Sequence, residues 1–152
     1  MKLAEALILR SDCQKRIAQL QQRLTRSAKV QEGEQPPENP QELMTELDAV
    51  SAELTDLIQR INRTNSITEL EGHTLSDALA ERDVLQQKWS NYNSLIQSAS
   101  IRHDRYSRSE VRFFSTINIA EVQIKVDNLA REYRELDSQI QAMNWQTELV
   151  EA

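Results

Sequence analysis

The chain has 152 residues, with 18 Lys and Arg against 24 Asp and Glu, a formal charge of -6, and 39% hydrophobic residues. That length fits one domain, and the apolar content is too low for a thick core but enough for narrow helical seams. An acidic balance argues against a general nucleic-acid binder, and no run approaches the roughly 20 apolar residues needed to cross a bilayer.

The predicted class is all-α: four long helices in antiparallel coiled-coil hairpins or a bundle, in a single domain spanning 1–152. Only 2 glycines and 3 prolines interrupt it, and narrow seams of this kind favour self-association. The first helix covers about residues 2–30 and opens on "KLAEALILR". Glu5 and Arg10 break its apolar start, so it reads poorly as a signal peptide, and a cytoplasmic protein is expected. Its 3-4 spacing runs Leu3, Ala6, Arg10, Cys13, Ile17, Leu20, Leu24. Cys13 is the only cysteine, on the seam, which suits a buried apolar role and makes no internal disulfide.

"QEGEQPPENP" holds Gly33 and every proline and must be a loop. The second helix follows over about 40–62, with Asn39 as cap and Pro40 at its first position. Its seam is Leu43, Leu47, Val50, Leu54, Leu57, Ile61. Residues 1–31 hold seven Lys or Arg and two acids, whereas 32–59 hold eight acids and no base. A short loop between neighbours predicts an antiparallel hairpin, with the basic helix beside the acidic one. Residues 62–74 contain Ile67, Thr68 and Gly72 and are expected to be extended. The third helix spans about 75–99, with Leu75, Ala78, Arg82, Leu85, Trp89, Tyr92, Ile96 and Ala99 on its seam.

Residues 101–117 interrupt the pattern, and "IRHDRYSRSEVRFF" gathers four arginines there. Arg102, Arg105, Arg108 and Arg112, with Tyr106 for stacking and Arg60 and Arg63 if they fold nearby, are candidates for a phosphate-bearing ligand or nucleic acid. The competing reading pairs them with acids, within one chain or between subunits. Val111, Phe113 and Phe114 look extended, and a short strand pair with 62–74 is one option. A connection this long could run back along the third helix, so an up-down-up-down order is not required. The fourth helix spans about 119–145, capped by Asn118, with Ile119, Val122, Val126, Leu129, Tyr133, Leu136, Ile140 and Met143 on its seam.

The segments "KLAEALILR", "AKVQEGE", "INRTN", "LSDALAERD", "RYSRSEVRFFST" and "NWQTEL" resemble a family of small bacterial proteins of unknown function, some labelled septicolysin. The resemblance covers nearly the whole chain. It implies no catalytic residues. The label implies a cytolysin, whereas the chain lacks an evident export signal or membrane-inserting apolar hairpin.

The remaining candidates are structural. Arg10 and Arg82 fall on apolar seams and must pair or snorkel, with Asp77, Glu81 and Asp83 candidate partners near Arg82, in a buried polar layer that fixes register or, alternatively, in an internal ligand site. Trp89, Tyr92 and Trp145 are candidate interface anchors, and the C-terminal "NWQTELVEA" is a candidate to dock on a neighbour. His73 and His103 lie in no metal-ligand spacing, and no catalytic motif, metal or cofactor is predicted. The expected partners are a second copy of the chain, then another protein, then a phosphate ligand or nucleic acid, with no membrane. The function expected first is a non-enzymatic scaffold or interaction module.

Overall fold

The computed structural model describes residues 1–100 and 111–152. Four helices carry the fold: α1 (Leu3–Ser27), α2 (Pro40–Ile67), α3 (Leu75–Ala99) and α4 (Ile119–Gln146). A two-stranded antiparallel sheet, β1 (Glu69–Leu70) and β2 (His73–Thr74), links α2 to α3. The all-α class read from periodicity holds.

Local chemistry sets the helix starts. The Asn39 side chain accepts a hydrogen bond from the Gln41 N–H at 2.9 Å, and Pro40 follows at the first helical position. Asn118 caps α4 in the same way, accepting from the Glu121 N–H at 3.3 Å. The carboxylate of Glu5 accepts the Lys2 N–H at 2.7 Å and closes the first turn of α1.

The chain divides into two compact units. The first holds Met1–Ser76 and Gln141–Ala152, and the second holds Asp77–Ile140. In the first, α1 and α2 pack as an antiparallel hairpin. Arg16 lies 3.7 Å from Glu53, and Arg23 pairs bidentately with Glu38 in the loop before α2. The basic helix thus lies beside the acidic one. Buried positions recur every seven residues, at Ala6, Cys13, Leu20 and Ser27 on α1 and at Leu43, Val50, Leu57 and Thr64 on α2. That period is the signature of a two-stranded seam.

The α2 helix runs to Ile67, so 62–67 is helical where an extended segment was expected. Asn62, Thr64 and Asn65 are weak helix formers. Burial of Ile61 and Thr64 on the seam outweighs that preference. Extended structure appears only from Thr68. There β1 pairs with β2 across Glu71 and Gly72, both at positive φ, the geometry of a tight two-residue hairpin turn. The sheet therefore closes on itself, and described residues 111–116 form no strand with it.

The C-terminal segment, considered above for a neighbour, docks on its own chain. The Leu3 N–H donates to the Thr147 carbonyl at 2.9 Å, and the Leu149 N–H donates to the Met1 carbonyl at 2.8 Å. Glu148 takes ion pairs from the Met1 ammonium and from Lys2, which hold its carboxyl below the usual carboxylate range. Two residues on, the Val150 N–H donates to the Thr64 hydroxyl, and its carbonyl accepts from Arg60 Nε, both at 3.0 Å.

In the second unit α3 and α4 also run antiparallel. Arg82 meets Asp137, and Lys125 lies over the ring of Tyr92. The connection 100–118 therefore joins adjacent helix ends, and α4 does not start at the opposite end of α3.

Candidate functional site

The α3–α4 pair carries a concavity lined by side chains of both helices. Arg82, Gln86 and Trp89 recur along one flank of α3 at helical spacing, and Ala130, Tyr133 and Asp137 do the same on α4. At one end Arg82 donates to Asp137 at 2.9 Å, with the Asp83 carboxylate at 3.7 Å. The guanidinium is 23% exposed, so it is partly desolvated and paired rather than buried alone. In the middle, Gln86, Trp89, Ala130, Tyr133 and Arg134 line an open groove of about 220 Å³.

The aromatic side chains explain the groove. A two-helix seam has room for one layer of Leu-sized or smaller side chains between the axes. Trp89 and Tyr133 are larger and stay half-exposed, while Leu85, Val126 and Leu129 fill the seam and are buried. On the same seam Tyr92 is half-exposed, with the Lys125 ammonium 5.6 Å from its ring centroid, a cation–π arrangement.

The groove is small and open, walled by two aromatic side chains with an amide and a guanidinium beside them. Its volume falls below the roughly 300–1,000 Å³ of small-molecule pockets, and its lining holds no carboxylate, histidine or thiol. Aromatic walls with one cationic rim residue suit capture of a protein side chain. Elsewhere, Cys13 is 2% exposed, and burial first, then the neighbouring Glu53 charge, raises its thiol pKa. That disfavours the thiolate, the reactive form of the side chain. Among the described residues no group of three or more His, Cys, Asp or Glu could hold a metal, and no helix is long and apolar enough to cross a membrane.

The other candidates divide as follows. Arg102, Arg105, Tyr106 and Arg108 lie outside the described residues, as does His103. Arg112 is exposed in an extended stretch beside Phe113 and Phe114, each 77% exposed. Arg60 is committed to the Val150 carbonyl and to Asp56, and Arg63 is exposed. Arg10 is half-buried in the first unit. Asp77 is exposed, and the partner found for Arg82 across the seam is Asp137. Trp145 is 55% exposed near the end of α4.

Sequence reasoning missed Thr64, Asp137 and the pairing of Trp89 with Tyr133. Thr64 carried a signal, since it continues the seven-residue spacing of Leu43, Val50 and Leu57. Asp137 sits one position off the α4 seam, and only the register between helices reveals it as the complement of Arg82.

Two antiparallel helical pairs, one of them carrying an aromatic groove, place the chain in the class of small all-α helical-hairpin proteins. Within that class, the chain belongs to a family of unknown function, DUF6847, which it matches over residues 10–149. It is also similar to a functionally unknown conserved protein from Corynebacterium diphtheriae, known from a crystal structure. The two are 51% identical and superpose with a TM-score of 0.93, with 99% of each chain covered. No curated protein matches.

Proposed function

We propose that this protein is a non-enzymatic interaction module that works in the cytoplasm as a homo-oligomer. The observation that carries this reading is the half-exposed Trp89–Tyr133 groove on a helix pair with few buried side chains. Aromatic side chains in a partly desolvated concavity are the residue types that dominate protein–protein binding energy. Trp89, Tyr92 and Trp145 are its proposed anchors. Arg112 and the arginines before it serve acidic partners in the same assembly.

Light scattering coupled to size-exclusion chromatography tests this, with absorbance at 260 and 280 nm followed together. The expected result is a discrete multiple of the 17.6 kDa chain with a protein-like spectrum. A monomer at every concentration would overturn self-association. Excess absorbance at 260 nm would replace it with capture of a nucleotide or nucleic acid.

A further inference from the structure

We infer that the flank of α3–α4 carrying the Trp89–Tyr133 groove docks on the same flank of a second copy, about a two-fold axis that passes beside Trp89 and Ala130. This rests on the self-association proposed above and names its surface.

Complementary charges lie along one face of α4. Asp127 and Arg134 lie seven residues apart on α4, two turns or about 10 Å, and so point the same way. Both are exposed. Asp127 accepts only from the amide of Gln123, and neither side chain makes an ion pair among the described residues. A two-fold axis crossing α4 at Ala130 and Arg131 sets α4 antiparallel to its copy. Asp127 of each chain then faces Arg134 of the other, so the surface is complementary to itself, as an isologous interface requires. The same register sets Gln123 opposite Ser138, and no like charges meet along this line.

The α3 helix places the groove on that axis. The contacts of Arg82 with Asp137 and of Tyr92 with Lys125 fix the register of the hairpin. In that register Trp89 is level with Ala130, and both line the groove. The axis through Ala130 therefore also passes Trp89, and the tryptophans of two copies meet at the centre of the contact. Hot-spot aromatics cluster there, with charged groups toward the rim. Ala130 is small and permits close approach. Residues 84–99 of α3 carry one charged side chain, Lys88, and it neighbours Trp89 in sequence and so points off the groove flank. Gln86, Ser90 and Asn93 supply the rest of that flank, and charge depletion of this kind marks interface cores. The product is a four-helix arrangement that covers aromatic side chains a two-helix seam cannot enclose.

The test uses the full chain in three forms: wild type, Asp127→Arg and Arg134→Asp, with helicity checked by circular dichroism. Light scattering and sedimentation are read over a concentration series at low and physiological salt. Wild type is expected as a two-chain particle. Each reversal places like charges opposite one another twice per dimer and is expected to raise the dissociation constant by on the order of tenfold or more. Mixing the two variants in equal amounts restores opposite charges at both sites, and the two-chain mass is expected to return. If wild type associates and neither reversal weakens it, this surface is wrong while self-association stands. If both weaken it and the mixture fails to recover, the Asp127–Arg134 pairing is wrong. A wild type that is monomeric throughout removes both the surface and the reading beneath it.

Discussion

In the α1–α2 hairpin the fully buried positions hold Ala6, Cys13, Leu20, Val50 and Leu57, side chains that fit between two helix axes. In α3–α4 the corresponding stripe holds Trp89, Tyr92 and Tyr133, which remain half-exposed. Among described residues the second unit buries only Ala78, Leu85, Val126, Leu129 and Ile140. The first also gains the returning C-terminal segment, which satisfies Thr64 and Arg60. The same seven-residue repeat thus produces a closed seam in one unit and an open one in the other. What differs is side-chain volume and the presence of a third covering segment, not helix propensity. A heptad pattern locates a seam without saying whether two helices are enough to close it.

Core truncations test that contrast most strongly. Ile61→Ala, at a site 1% exposed in the first unit, is expected to cost about 2–5 kcal/mol in urea unfolding. Leu85→Ala, at a site 9% exposed in the second, is expected to cost about 1–2 kcal/mol less, because a more open seam relaxes and rehydrates around the gap. Equal losses would mean that the two seams are equally closed and that the comparison fails.

Thr64→Val keeps the shape and removes the hydroxyl that receives the Val150 N–H. The expected loss is about 1–2 kcal/mol, with faster hydrogen exchange at Leu149 and Val150 and unchanged exchange in α3. A loss spread evenly over both units would show that the C-terminal segment does not belong to the first alone.

Ser27→Ala has the opposite sign. The Ser27 hydroxyl is buried and has no hydrogen-bond partner among the described residues. Replacing it with Ala is expected to stabilise the first unit by roughly 1 kcal/mol, from relief of the unpaired group and better helix propensity. Destabilisation on denaturant unfolding would mean that the hydroxyl is satisfied in solution.

The smallest effect is a pH dependence at the termini. The Lys2 and Met1 ammonium groups lower the Glu148 pKa from its ordinary 4.5. A lowered folded-state pKa contributes stability above the unfolded value, and that contribution is lost as pH falls through the folded one. Protection of the Leu3 and Leu149 amides is therefore expected to hold at neutral pH and decline below 4.5. Glu148→Gln should flatten that dependence. A decline of equal size in the variant would assign the effect to other carboxylates, Glu38 beside Arg23 first among them.

Much of the fold was legible because its determinants are local. Asn39 and Pro40, and Asn118 before α4, announce helix starts through hydrogen bonds and φ values set within a few residues. The helix end at Ile67 was not legible. There tertiary burial of Ile61 and Thr64 overrode weak local propensity. Of the candidate site, Trp89 was visible as a large aromatic on a seam, and Tyr133 was visible only as a seam residue on another helix. Their meeting in one groove depends on register across a connection of nearly twenty residues, numbered 100–118.

The sequence by itself determined four amphipathic helices, their caps and the charge contrast between α1 and α2, because period and capping act over one or two turns. Only the tertiary structure decided that Arg82 pairs with Asp137, that the C-terminal segment returns to Thr64 and Arg60, and that Trp89 and Tyr133 line one groove. Each of those joins residues far apart in the chain, and their energies depend on how closely two packed surfaces approach, which no short window of residues encodes.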